Sequence, residues 1–76
     1  MHCIYEIRYE IQWHTSKPSQ WELQSVRVLA GADAQEAVDK ARAAALKQHV
    51  LNDNGVEERC TAFRLREVVL VAEATL

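Results

Sequence analysis

The feature that most constrains the fold is an alternation of residue types near the start of the chain. From Cys3 to Trp13 every odd-numbered residue is apolar or aromatic, and every even-numbered residue except Ile4 is polar. Because strand side chains point alternately to the two faces of a sheet, this pattern predicts a strand with one buried and one solvated face. A slip of one residue would expose the whole aromatic row, so the register is strongly specified. We therefore expect this strand to be central in its sheet.

A second strand is predicted after a polar hairpin loop, over Trp21 to Ala30. Its apolar residues change parity half-way, from Trp21 and Leu23 to Val26, Val28 and Ala30. If Trp13 pairs with Trp21 across the hairpin, Arg27 comes to face the core beside Ile7. A β-bulge at Gln24-Ser25 would correct this, because one extra residue shifts the following side chains to the other face. The alternative is a shorter strand that covers only the second half.

A helix is predicted from about Ala34 to His49, after Gly31 ends the strand. Asp33 and Glu36 form a pattern like a capping box at its start. One side of the helix consists almost entirely of alanine at helical spacing: Ala34, Ala37, Val38, Ala41, Ala44 and Ala45. Such small residues allow close packing on a sheet, and the large aromatic residues of the first strand would fill the remaining space.

The third predicted strand follows the turn at 52–55 and begins near Glu58. Its alternation fails at Val68, Val69, Leu70 and Val71, which are all apolar. A continuous apolar run is typical of a strand that is covered on both faces. The strand is also too long to stay straight in a small domain, so we expect a bend or bulge near Arg66-Glu67, or two strand pieces.

Together these elements predict one α+β domain over residues 1–76. The expected architecture is a two-layer β-β-α-β sandwich, with a mainly antiparallel sheet of order 2-1-3 and the helix on one face. The opposite face then carries mixed charge, with Arg64 and Arg66 able to pair with Glu6 and Glu10 across the strands.

Half of the apolar side chains in the run Val68, Val69, Leu70 and Val71 would be exposed in such a monomer. Proteins usually cover an exposed apolar edge strand, and pairing with a second copy across a two-fold axis is a simple way to do so. We therefore expect a non-catalytic interaction module that homodimerises through its C-terminal strand, docks on a protein partner, or does both.

The residue types that carry chemistry are not arranged in a recognisable motif, so we expect neither an enzyme nor a cofactor. Close-set ligand pairs of the kind that bind zinc do not occur among the cysteines and histidines. Cys60 lacks the basic or helix-start setting that would favour a thiolate. Glu6 and Glu10 are more naturally salt-bridge partners than a catalytic pair. The two glycines, Gly31 and Gly55, do not form a phosphate-binding loop.

The alternative function is a nucleic-acid-binding or ribosome-associated domain that uses a basic patch of Arg8, Arg64 and Arg66. The order of elements resembles that of small ribosomal proteins in overall shape, although no sequence motif is shared with them. Binding of RNA on a sheet face needs exposed aromatic residues, and here the aromatic row is expected in the core. A third possibility is a ligand pocket at a dimer interface, lined by the two tryptophans or His14.

Composition limits the setting of the protein. The formal net charge is −2, which gives no general attraction to nucleic acid or to an acidic membrane. The two cysteines do not make a disulfide framework, and no signal peptide or membrane span is visible. We therefore expect a reducing, cytoplasmic location.

Overall fold

A computed structural model describes residues 2–74, so residues 1, 75 and 76 of the expected domain lie outside the description. The elements are β1 (His2–Trp13), β2 (Glu22–Ala30), α1 (Ala34–Ala45), β3 (His49–Leu51) and β4 (Glu57–Ala74). The strands form an antiparallel sheet of order β2-β1-β4-β3. The predicted α+β class and the inner position of β1 are confirmed. The strand order differs from the predicted 2-1-3. The third predicted strand is β4, which lies beside β1, and the unpredicted strand β3 adds a fourth strand at the edge.

The core lies on the face of the sheet that carries the odd-numbered residues of β1. Ile7 and Ile11 are fully buried there. The other core residues are Cys3, Tyr5, Tyr9, Ala30, Ala37, Val38, Ala41, Ala45 and Cys60. Each buried tyrosine hydroxyl donates a hydrogen bond, Tyr5 to the carbonyl of Ala32 and Tyr9 to the side chain of Gln24. We call the opposite side of the sheet the open face.

The register of β1 against β2 needs no bulge, so the bulge predicted at Gln24-Ser25 is wrong. Ile7 pairs with Val26, and the residues on either side follow in unbroken order. Trp21 precedes β2 and does not pair with Trp13. The apolar residues of this segment change from odd to even positions because Leu23 lies on the open face, opposite Glu10, where it is 69% exposed.

Helix α1 begins as predicted and ends earlier than predicted. The Asp33 carboxylate accepts a hydrogen bond from the backbone N–H of Gln35, and the Glu36 carboxylate accepts one from Gly31. The helix stops at Ala45 instead of His49. On the solvent side, the Lys40 ammonium donates to the backbone carbonyl of Leu29 in β2.

The residues beyond the helix form a hairpin that the sequence analysis missed. His49–Leu51 pairs with the first residues of β4, and Gly55 has the positive φ of 74° that the turn between them requires. All three residues of β3 are exposed, so they show no apolar alternation. The turn residues 52–55 between short flanking segments were the signal that could have revealed it.

Strand β4 is 18 residues long and bends at three irregularities. The register against β1 shifts between Ile4 and Tyr5, between Arg8 and Tyr9, and between Gln12 and Trp13. The middle shift leaves Arg66 as the extra residue, which confirms the predicted bulge near Arg66-Glu67. A straight strand of this length would span about 59 Å, whereas the longest dimension of the molecule is 45 Å.

Candidate interaction surfaces

The predicted interface residues lie in the second half of β4, beside the first half of β1. Val68 pairs with Ile7 on the core side and packs against the core. Val69 pairs with Glu6 on the open face and is half-buried. Leu70 and Val71 are 52% and 40% exposed. The apolar run is therefore divided between core packing and exposed surface.

The outer edge of β4 is largely unpaired within residues 2–74. Strand β3 pairs only with Glu57, Glu58 and Arg59, and the backbone N–H of Cys60 donates to the carbonyl of Gln48. Beyond this point, residues 61–74 of β4 have β1 on one side and no described strand on the other. We call this stretch the free edge. It carries three exposed large apolar residues, Leu65, Leu70 and Val71.

The centre of the open face is covered by ion pairs between β1 and β4. Arg8 contacts Glu6 and Glu67, each at 2.7 Å. Arg64 donates to Glu10 at 2.9 Å, and Arg66 lies 3.5 Å from the same carboxylate. The expected cross-strand pairing is present between Glu10 and both Arg64 and Arg66. Glu6 instead pairs with Arg8 and, at 4.0 Å, with Arg27 of β2.

The three arginines of the predicted basic patch therefore all lie on one face, but each already has a carboxylate partner. The hydrogen bond from Arg64 holds the pKa of Glu10 below its usual range, an effect that partial burial opposes. Paired guanidinium groups offer less positive potential to a phosphate than free ones, because the nearby carboxylates cancel much of their charge. The role of Arg8, Arg64 and Arg66 in nucleic-acid binding stays a prediction.

An aromatic contact that the sequence analysis missed lies at one end of this network. The guanidinium carbon of Arg64 is 4.0 Å from the centroid of the Trp21 ring. This is a cation–π distance, and it places Trp21 beside Arg64 instead of against Trp13. A cavity at the β1–β2 loop is nevertheless lined by both tryptophans. It lies within a single chain, and His14 is not part of its lining.

The two cysteines are buried, whereas His14 and His49 are exposed. Cys3 and Cys60 are buried free thiols, and burial raises the pKa of Cys60. His14 accepts a hydrogen bond from the backbone of Arg59, and His49 contacts Glu57 at 2.8 Å. Among residues 2–74, no three side chains of the metal-binding types come close enough together to hold an ion.

Comparisons with protein-family models, with curated proteins and with solved structures gave no match. In the part of the chain that is described, no helix has the length and apolar character needed to cross a bilayer.

Proposed function

We propose that this protein is a small non-catalytic interaction module that homodimerises through the free edge of β4. The observation that carries the proposal is a long strand whose outer edge is unpaired over residues 61–74 and carries exposed Leu65, Leu70 and Val71. Unpaired backbone groups and apolar side chains on one edge favour strand pairing with another chain. The two-layer arrangement, with α1 on one sheet face, and a reducing cytoplasmic setting for the two free thiols belong to the same proposal.

The small core gives a physical reason for association. Among the residues that the structure describes, Ile7 and Ile11 are the only large side chains that are fully buried, and four of the eleven core residues are alanine. The radius of gyration is 14.1 Å, whereas a compact chain of this length would have about 11 Å. An elongated molecule with little buried apolar surface gains stability when a partner removes more of that surface from water.

The position of β3 is compatible with pairing of two copies along the free edge. Strand β3 occupies only the beginning of the outer edge of β4, so a partner strand opposite residues 64–74 would not displace it. An antiparallel two-fold pairing is isologous, since each residue of one copy meets the symmetric residue of the other. The middle of the free edge lies close to Val68 and Val69, where apolar residues are concentrated.

The two faces of the sheet favour a register centred on Val69. Residues directly opposite in an antiparallel pair share a face. In this register Val69 meets the partner's Val69 on the open face. Val68 meets the partner's Leu70 on the core side, at two symmetric positions. The pairing would join the two sheets into one and would cover apolar residues that a single chain leaves exposed.

The test compares lysine substitutions on two edges. Val71 on the free edge and Val50 on β3 are 40% and 41% exposed, which makes Val71→Lys and Val50→Lys a matched pair. Sedimentation velocity at about 50 µM should show a dimer for the parent chain and for Val50→Lys, and a folded monomer for Val71→Lys. A lysine on the free edge replaces exposed apolar surface with a strongly hydrated charge, which disfavours pairing with a second strand.

Val69→Lys should also dissociate the dimer, because the two lysines would face each other across the two-fold axis. The chain should stay folded, because Val69 lies opposite Glu6 on the open face, where a lysine can pair. Val69→Cys tests the register, since two self-opposed cysteines can form an intermolecular disulfide. A parent chain that sediments as a monomer at this concentration contradicts the proposal. If both lysine variants remain dimeric, the interface lies on a surface other than the free edge.

Docking on a different protein through the same free edge is the second form of this proposal. The edge chemistry would be the same, with an extended segment of the partner adding a strand to β4. The nucleic-acid alternative has weaker support, because Arg8, Arg64 and Arg66 are ion-paired. That alternative predicts salt-sensitive retention on a heparin or nucleic-acid matrix, which the dimer proposal does not require.

A further inference from the structure

A cavity of about 390 Å³ lies at the loop that joins β1 to β2. It is lined by Trp13, Ser16, Ser19, Gln20, Trp21 and Glu22. We call it the Trp cavity, because it contains both tryptophans of the sequence. Sites for small ligands typically occupy roughly 300–1,000 Å³ and combine aromatic walls with a few polar groups. The Trp cavity has a volume in this range and two aromatic walls, with polar side chains at the other four lining positions.

The two aromatic walls are held in place by contacts with neighbouring side chains and with the loop backbone. The indole N–H of Trp13 donates to Glu22 at 3.3 Å, and its backbone N–H donates to the Ser16 hydroxyl at 3.0 Å. Trp21 is held by the guanidinium of Arg64, 4.0 Å from its ring centroid. Two backbone hydrogen bonds, from Ser16 to Trp13 and from Gln20 to Lys17, fold the loop around them. Walls that are fixed in advance reduce the entropy lost on binding.

The polar groups that remain for a ligand are mainly donors. Within residues 2–74 the Ser19 hydroxyl, the Gln20 amide N–H₂ and the Trp21 indole N–H have no hydrogen-bond partner. The carboxylate of Glu22 already accepts from Trp13 and from Gln24. The site therefore combines two indole rings, three available donor groups and one carboxylate that is already hydrogen-bonded.

This combination favours a neutral ligand over a charged one. A cation would have to share the Glu22 carboxylate with two donors and would lie near the Arg64 guanidinium. An anion would meet Glu22 and the negative faces of the indole rings. A neutral sugar ring has an apolar C–H face that can lie on an indole and hydroxyl groups that both accept and donate. We propose that the Trp cavity binds a neutral sugar unit of an oligosaccharide.

The intrinsic fluorescence of the protein tests this proposal directly, because both tryptophans line the Trp cavity. The probes are maltotriose, cellotriose and the trimer of N-acetylglucosamine, each titrated separately, with sorbitol and choline as controls. At least one trisaccharide should produce a saturable change in emission, with a Kd on the order of 1 mM for such a small ligand. Sorbitol and choline should not.

Two variants locate the binding event. Trp21→Ala should weaken binding at least tenfold, measured from the Trp13 indole signal in a two-dimensional NMR spectrum. Leu23→Ala should bind like the parent chain, because Leu23 lies nearby on the open face and does not line the cavity. Circular dichroism checks that both variants are folded, as expected for residues outside the core.

Three outcomes would overturn the proposal. No saturable change with any of the three sugars, a saturable change with choline, or an equal change with sorbitol each excludes a sugar site. The monomeric Val71→Lys variant should bind the same sugar with unchanged affinity, because Val71 does not line the Trp cavity and lies seven residues from Arg64 along β4. Failure of one proposal therefore leaves the other intact.

Discussion

At the scale of single residues, Glu10 joins the charged groups of two strands. Its carboxylate accepts from Arg64 at 2.9 Å, lies 3.5 Å from Arg66, and is only 17% exposed. Arg64 in turn lies over the ring of Trp21. One carboxylate of β1 thus positions the guanidinium that supports a wall of the Trp cavity.

This arrangement predicts a pH-dependent contribution to stability. The pKa of Glu10 is lowered in the folded protein, chiefly by the hydrogen bond from Arg64. A lowered pKa means that the stabilisation is present above the pKa of the unfolded chain, near 4.5, and is lost as pH falls through the lower folded value. A double-mutant cycle with Glu10→Gln and Arg64→Gln, measured by urea unfolding, should give a coupling free energy at pH 7 that decreases as pH falls below 4.5. A coupling that is constant with pH would contradict this origin.

Residue types and spacing predicted the burial of the aromatic row of β1, but not the position of Trp21. A large aromatic residue at a strand start is ordinarily assigned to a core, and Trp13 was the obvious partner. Its actual neighbour, Arg64, is distant in sequence, and the attraction between a guanidinium and an indole face leaves no pattern along the chain. The Trp cavity could therefore be predicted only as a vague possibility.

At the scale of elements, β1 supports the rest of the fold because it has a strand on either side and supplies five of the core residues. Helix α1 contributes mainly small side chains, so it cannot compensate for a defect in β1. The alternation that defines β1 also decides which substitutions it tolerates. A charged substitution is expected to prevent folding on the core face and to be tolerated on the open face.

Ile7→Asp should prevent folding, because Ile7 is fully buried and the charge would have no partner. Ile7→Val should cost about 1 kcal/mol. Ile4→Asp is the matched control, since Ile4 lies on the same strand but faces the open side. It should remain folded. Far-ultraviolet circular dichroism and urea unfolding measure all three, and a folded Ile7→Asp would show that β1 is not the centre of the core.

The elements were predictable to different degrees for physical reasons. Helix α1 and β1 have clear periodicities, because each buries one side against the core. Strand β3 has no buried side, so its three residues left no periodic signal. The bulge at Arg66 was predictable, because the alternation of apolar and polar residues fails just after it. In β2, the change in the positions of the apolar residues was mistaken for a bulge.

At the scale of the whole molecule, the shape is that of a long sheet with a short helix. The principal dimensions are 45 × 22 × 15 Å, and the core is small for this length. A domain of this size has little stability to spare. Association of two copies would therefore affect the folding equilibrium as well as any surface property.

The proposed dimer predicts a melting temperature that depends on concentration. Raising the concentration a hundredfold, from about 2 to about 200 µM, should increase Tm by about 8 °C, because mass action favours the associated native state. The variant Val71→Lys should melt at one temperature throughout this range. Differential scanning fluorimetry on both chains makes the comparison, and a parent Tm that is independent of concentration contradicts the coupling.

The hydrogen bond from Lys40 to Leu29 makes the β2 edge of the sheet less able than the free edge of β4 to pair with a strand of another chain. At the β2 edge, the Lys40 ammonium of α1 already donates to the backbone carbonyl of Leu29, so this carbonyl is not free to accept from a second strand. A head-to-tail contact between that edge and β4 of the next chain would repeat without limit and build a filament. By making the β2 edge less receptive, one lysine favours the closed contact between two β4 strands over an endless polymer.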